Sequence, residues 1–297
     1  MNDIRLTFNS MPSMVAIYPK LLLRSKPALV PDGASVPTIE ARMDIVSTRP
    51  DKIVAYNKVC GFPDSDYLPI TYPHVLAMPL HLQILSNEAF PARVMGLVHI
   101  ENTITRYGLV PDQEILSIRC FIEGHTETDA GQLFAMNTVV STRDSVVWEE
   151  VSTFLARRRG ARKSGPVRKK TDAAFAGFDK PGTTSSGWNA PAGIGRHYAM
   201  VSGDINPNHL SSPTARLLGF PAAIAHGMWS LARSLAEIGE KSLGPQVRVC
   251  SKFKLPILLP ARVTFLSHSD ERGTDFLLAD HAGQKPHLTG LCTKLLA

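Results

Sequence analysis

Apolar positions recur along this chain with two different periods. Met228, Leu231, Leu235 and Ile238 are spaced three, four and three apart, which lays one apolar stripe along a helix. Ala232 and Ala236 widen the stripe and permit close packing on a sheet, and Gly239 and Gly244 can end the helix. Elsewhere the period is nearer two. Residues 115–123, 133–140, 247–255 and 261–266 mix β-branched and aromatic residues with partial alternation, and predict strands. In each half a helix-like segment precedes consecutive strands. That order predicts an α+β fold with antiparallel sheet.

The two halves share more than this order. Leu68-Pro69 stands before Pro73-His74 as Phe220-Pro221 stands before Ala225-His226, at an offset of 152 residues. Upstream, Cys60-Gly61-Phe62 matches Ser202-Gly203-Asp204 at an offset of 142. The first half therefore lacks about ten residues that the second half has between these points. Three segments follow: 1–155, with a Pro-rich and mixed first fifty residues; a linker over 156–190, basic and then Gly/Ser/Thr/Pro-rich; and 191–297.

Composition narrows the field. With 297 residues, 44% of them apolar, the chain can bury a large core. No run approaches the roughly 18 apolar residues of a membrane span, and the first residues make a poor signal peptide. A cytoplasmic protein with no membrane association is expected. The four cysteines lie far apart and form no C-x-x-C pair, as expected of inert thiols in a reducing compartment. The net charge of +6 is local, because residues 157–170 carry eight Lys or Arg and no acid. Such a run is a solvated loop or a patch for an anion such as a CoA phosphate or an acidic carrier protein. No nucleic-acid-binding motif accompanies it, so nucleic acid is not expected as a partner.

Residues 198–228 carry the candidate chemistry: YAMVSGDINPNHLSSPTARLLGFPAAIAHGM. Ser202-Gly203-Asp204 and Asn206-Pro207 are turn formers, and an irregular segment there could bring Asp204 to His209. Ser212 as N-cap and Pro213 at the first position predict a short helix ended by Gly219. Ala225-His226-Gly227 leads into the long helix. Singly, each residue has a plain alternative: a turn former, a surface histidine, a helix-entry residue. Together, in one window, they read as a site.

This stretch resembles the MaoC-like dehydratases, which include the (R)-specific enoyl-CoA hydratases. Tyr198, Ser202, Gly203, Asp204, Asn206, Pro207, His209, Ala215, Gly219, Phe220, Pro221, Ile224, His226, Gly227 and Met228 fit the family pattern. One degenerate half followed by one intact half resembles the hydratase 2-like members. The resemblance implies a double hot-dog fold, two tandem units each with a long helix wrapped by an antiparallel sheet. It implies a hydro-lyase of fatty acid metabolism that interconverts a trans-2-enoyl thioester and an (R)-3-hydroxyacyl thioester. Asp204 and His209 would hold the reacting water, and the Gly227 N–H would face the thioester oxygen. Ser202, Asn206 and His226 would support them or the substrate. No metal or organic cofactor is implied. The substrate handle would be CoA or acyl carrier protein, and a homodimer is expected. A 3-hydroxyacyl carrier-protein dehydratase, a hot-dog thioesterase and a non-catalytic acyl-binding subunit remain as alternatives. The first half has no Asn-Pro-x-His segment and no counterpart of His209, so it is expected not to catalyse.

Overall fold

The structure is a computed structural model that describes residues 3–23, 26–158, 160, 174, 175 and 177–295. Most of the basic run at 157–170 lies outside the described residues. The described elements run, in chain order, β1 (Ile4–Thr7), α1 (Met14–Leu23), β2 (Ile39–Ser47), α2 (Pro50–Cys60), α3 (Tyr72–Ser86), β3 (Val98–Arg106), β4 (Ile115–Ile122), β5 (Thr126–Thr128), β6 (Gly131–Ser141) and β7 (Val146–Arg157). The second half continues with β8 (Thr184–Ala190), α4 (Ile194–Ser202), α5 (Pro207–Leu210), α6 (Ser212–Leu217), α7 (Gly227–Ile238), α8 (Glu240–Leu243), β9 (Val247–Phe253), β10 (Ala261–Asp270), β11 (Gly273–Asp280) and β12 (Pro286–Lys294).

The strands form one sheet in the order β1-β2-β4-β6-β7-β3-β9-β12-β11-β10-β8, with β5 beside β6. Apart from the parallel pair β1–β2, every pairing is antiparallel. This order contains the repeat. In the first half β2, β3, β4, β6 and β7 lie as first-third-fourth-fifth-second. In the second half β8 through β12 lie in the same order, and the two second strands meet at the centre. There β3 pairs with β9 from Glu101↔Lys252 to Arg106↔Val247. Each half places its central helix, α3 or α7, between its first and second strands. The fold is α+β, a double hot-dog.

Two expectations need correction. In each half a strand precedes the helix, β2 within the mixed leading segment and β8 within the stretch 156–190 assigned to a linker. The sequence of β8, TSSGWNA, is small and polar because this is an edge strand with only Ala190 buried. Edge strands need little apolar alternation, so the periodicity fades there.

The two central helices differ. α7 buries Met228, Trp229, Leu231, Ala232 and Leu235 in the core, with Trp229 reaching α2. Leu231 and Leu235 are wholly buried, each contributing about 1.5–3 kcal/mol of burial energy. α3 is buried almost all round, with helix α1 packing on its outer side through Ile17, Tyr18, Leu21 and Leu82. Its sheet-facing side carries two histidines among the apolar residues, His74 and His81. The halves also interlock away from the sheet. Arg106, almost fully buried at the end of β3, donates to Glu240 Oε2 (2.7 Å) on α8 and to the Pro245 carbonyl (3.1 Å). Trp229 Nε1 on α7 donates to the Val59 carbonyl on α2 (3.1 Å).

Candidate active site

The site is built on the turn between α4 and α5. Helix α4 ends at Gly203, whose φ of 74° is left-handed and whose Cβ, were there one, would lie 1.8 Å from the methyl of Met14. The left-handed φ favours glycine here, and the end of the Met14 side chain occupies the space beside it. The turn is fixed by its own side chains. Ser202 Oγ donates to the Tyr198 carbonyl (2.7 Å) and accepts from the Asp204 N–H (3.2 Å). Asp204 Oδ1 accepts from the Asn206 N–H (3.1 Å), an Asx turn that sets the start of α5. Ser211 caps α6 by accepting from the Thr214 N–H (3.4 Å), one residue earlier than the sequence suggested, because Ser212 is already helical.

His209, on α5, is 9% exposed. Its Nδ1–H donates to the Ile224 carbonyl (2.8 Å), which leaves Nε2 as the lone-pair nitrogen. His226 stands at the N-cap position of α7, where its side chain turns to the turn at Asp204 rather than to the helix N–H groups. Its ring stacks on that of His209 at 3.7 Å, and its Nε2 donates to the Asp204 carbonyl (3.0 Å) while lying 3.7 Å from Asp204 Oδ2. One ligand-type atom from each of Asp204, His209 and His226 lies within 4.8 Å of the others. Gly227 follows as the first residue of α7, where the N–H has no intrahelical partner. A Cβ at Gly227 would come within 3.0 Å of the Phe253 ring, so a side chain there would crowd the helix entry.

The six residues expected from sequence, Asp204, His209, Gly227, Ser202, Asn206 and His226, thus come together at the meeting of α4, α5 and α7. Asn206 precedes α5, and its Oδ1 is buried without a partner among the described residues. Sequence reasoning missed Tyr18. This residue of α1 donates its O–H to Asp204 Oδ1 (2.9 Å) across a separation of 186 residues. Nothing in the Pro-rich leading segment signals that role. Tyr198 was noted only as a motif position, and its ring packs 4.9 Å from that of His226.

Electrostatics assigns the protons. Burial pushes the Asp204 carboxyl up, but His226, His209, the Tyr18 O–H and the Asn206 N–H outweigh it and hold the group below the usual carboxylate range. Burial pushes His209 down, only partly opposed by Asp204 and the hydrogen bond to Ile224. Burial and then His209 push His226 to about 3. Near pH 7 the cluster is one carboxylate, two neutral imidazoles and a protonated phenol, since burial and then the Asp204 charge raise Tyr18 far above its ordinary value.

A second trio, His74, His81 and Glu150, has the same spacing in the first half and is fully buried. His74 Nδ1 lies 2.9 Å from both Glu150 oxygens, His81 Nε2 bonds Thr138 Oγ1 (2.7 Å), and Asn102 donates to Glu150 (2.6 Å). Either trio could reach one cation by distance. In each trio some histidine nitrogens are already hydrogen-bonded to protein groups, while His74 Nε2 and His226 Nδ1 are buried without a partner among the described residues.

A model of the MaoC like domain matches residues 178–255. The chain is 33% identical over 265 residues to 3-hydroxyacyl-thioester dehydratase X of Mycobacterium tuberculosis, spanning 88% of this chain and 91% of that protein. The crystal structure of HtdX of Mycobacterium tuberculosis matches with a TM-score of 0.73 at 30% identity, over 86% of this chain and 100% of that one. A MaoC-like dehydratase from Phytophthora capsici shares the fold at 15% identity, with a TM-score of 0.68 over 88% of this chain and 96% of that one. With about a third of its residues identical to one dehydratase along nearly the full length of both, the protein belongs to the MaoC-like dehydratase family and is a hydro-lyase.

Proposed function

We propose that the protein interconverts a trans-2-enoyl thioester and an (R)-3-hydroxyacyl thioester, with Asp204 and His209 holding the reacting water between them. The observation that carries this reading is the pairing of two acceptors. The Ile224 carbonyl occupies the Nδ1–H of His209, leaving Nε2 to accept. Tyr18 and Asn206 occupy Oδ1 of Asp204, leaving Oδ2. A water that donates one hydrogen to each acceptor directs a lone pair outward, at the β-carbon of a bound enoyl thioester.

In the hydration direction that oxygen bonds to the β-carbon and one water proton passes to Asp204 or His209. The π electrons of the double bond move through the α-carbon to the thioester oxygen as an enolate. The same proton then returns to the α-carbon on the same face, as the family resemblance implies. General acid–base groups of this kind contribute roughly 10²–10⁴-fold each. The enolate oxygen needs a fixed donor, and the Gly227 N–H at the start of α7 is suited to it, aided by the helix dipole. Ser202 and Asn206 hold the turn, and His226 holds the Asp204 backbone and the face of His209. Relatedness to 3-hydroxyacyl-thioester dehydratase X supports the substrate class.

The test is hydration of trans-2-enoyl thioesters of several chain lengths, on CoA and on acyl carrier protein, followed by loss of the conjugated absorbance. Activity on at least one handle with no release of free thiol is expected. Thiol release without hydration would make the protein a thioesterase, and inactivity on every thioester would end the proposal.

A further inference from the structure

The leading fifty residues supply part of the site. Helix α1 is short and contains Pro19, and it stays in place through a small apolar cluster of its own. Ile17, Tyr18 and Leu21 pack on Leu82 of α3, with Met14, Met78 and Ile205 around them. This seats α1 against the catalytic turn itself, with the end of Met14 filling the space that a side chain at position 203 would need. Tyr18 is 7% exposed, and its hydroxyl makes two bonds to that turn. It accepts from the Ile205 N–H (3.0 Å) and donates to Asp204 Oδ1 (2.9 Å).

We propose that Tyr18 is a positioning residue for the hydration site, its hydroxyl clamping Asp204 Oδ1 and the Ile205 N–H together so that Oδ2 alone is presented to water and substrate. This rests on the hydration reading above. A carboxylate can rotate about its Cβ–Cγ bond and exchange its two oxygens. The Asn206 N–H alone opposes that rotation with one neutral donor from a backbone that could move with it. A phenol carried by a different helix, and anchored by accepting from Ile205, adds a fixed reference point outside the turn. The two oxygens thereby become unequal. Oδ1 is saturated by two donors, while Oδ2 faces His226 Nε2 at 3.7 Å and belongs to a side chain that remains 25% exposed. The same clamp favours the ionised carboxylate. Asp204 also acts on His209, His226, Tyr198, His74 and His99, so a change in its charge is felt by all of them.

Tyr18→Phe removes the hydroxyl and keeps the ring that packs on α3. Losing a hydrogen bond to a charged group should lower kcat roughly 10- to 100-fold. KM should stay within about twofold, because both bonds of the phenol hydroxyl go to the turn. The Asp204 carboxyl, followed by carbon NMR of protein labelled at aspartate, should titrate at higher pH in the variant. Ile17→Val trims the same apolar cluster without touching the hydroxyl, and should keep both kcat and the Asp204 titration. Wild-type kcat together with an unmoved Asp204 titration in Tyr18→Phe would overturn the proposal. So would equal losses in Tyr18→Phe and Ile17→Val, since α1 would then act by packing alone. If wild type hydrates no thioester, the hydration reading fails by itself, and the NMR titration still decides whether Tyr18 controls the carboxylate.

Discussion

The two halves of this molecule each gather two histidines and one carboxylate within 4.8 Å, and they use them differently. In the first half Glu150 is 1% exposed and saturated by His74 and Asn102. In the second half the Asp204 side chain is 25% exposed and keeps one oxygen without a strong donor. The same residue types thus form a closed pair in one place and an open one in the other. The difference lies in which atoms the surroundings leave unoccupied: both Glu150 oxygens are taken, whereas Asp204 Oδ2 has no bond shorter than the 3.7 Å approach of His226 Nε2.

The sharpest way to break this comparison is to remove the open pair. Asp204→Asn and His209→Ala should each lower kcat by roughly 10²–10⁴-fold with the unfolding midpoint little changed, read by hydration rate and thermal melt side by side. Retained activity in either variant would mean that the open pair is not the reacting one.

Next in size is the closed pair. Glu150→Ala strands His74 in a dry core and should destabilise the fold by about 3–5 kcal/mol in denaturant titration, while activity per folded molecule is largely kept. Loss of activity from a fully folded Glu150→Ala protein would make the first half part of the catalytic machinery. The pair also predicts how stability follows pH. Burial pushes the Glu150 carboxyl up, but His74 outweighs it and the group falls to about 2, so its contribution is present above about 4.5 and is lost as pH falls toward 2. Burial lowers His74 but Glu150 prevails and raises it, so its contribution is complete below 6.5 and is lost as pH rises through the raised value. In Glu150→Gln both slopes should flatten.

The smallest effect concerns the open pair alone. In the proposed reaction His209 accepts a proton only when neutral, and burial holds it below its ordinary value of 6.5. The acid limb of kcat/KM for hydration should therefore fall below pH 6.5, and a limb at or above that value would contradict the assignment of Nε2 as acceptor.

Much of the second half was legible in the sequence because its signals are local. The turn formers at 202–207 and the apolar stripe of α7 depend on neighbours a few residues away. The first half hid its features for physical reasons. His74 and His81 sit seven apart on α3 and look like helix decoration until Glu150 arrives from β7 through strand pairing. Tyr18 meets Asp204 across 186 residues of sequence, a contact that no local pattern signals. The short helix α1 has no long apolar stripe, and β8 is a polar edge, so neither periodicity marked its element.

The ladder between β3 and β9 has one more consequence. Cut between the halves, the chain would expose two long strand edges lined with unpaired N–H and C=O groups, each an invitation to aggregate. A free-standing second half would have to recruit another copy of itself to cover β9. By carrying the first half in the same polypeptide, the protein brings that cover along at an effective concentration no separate partner could match, and the covering half is free to give up chemistry without giving up the fold.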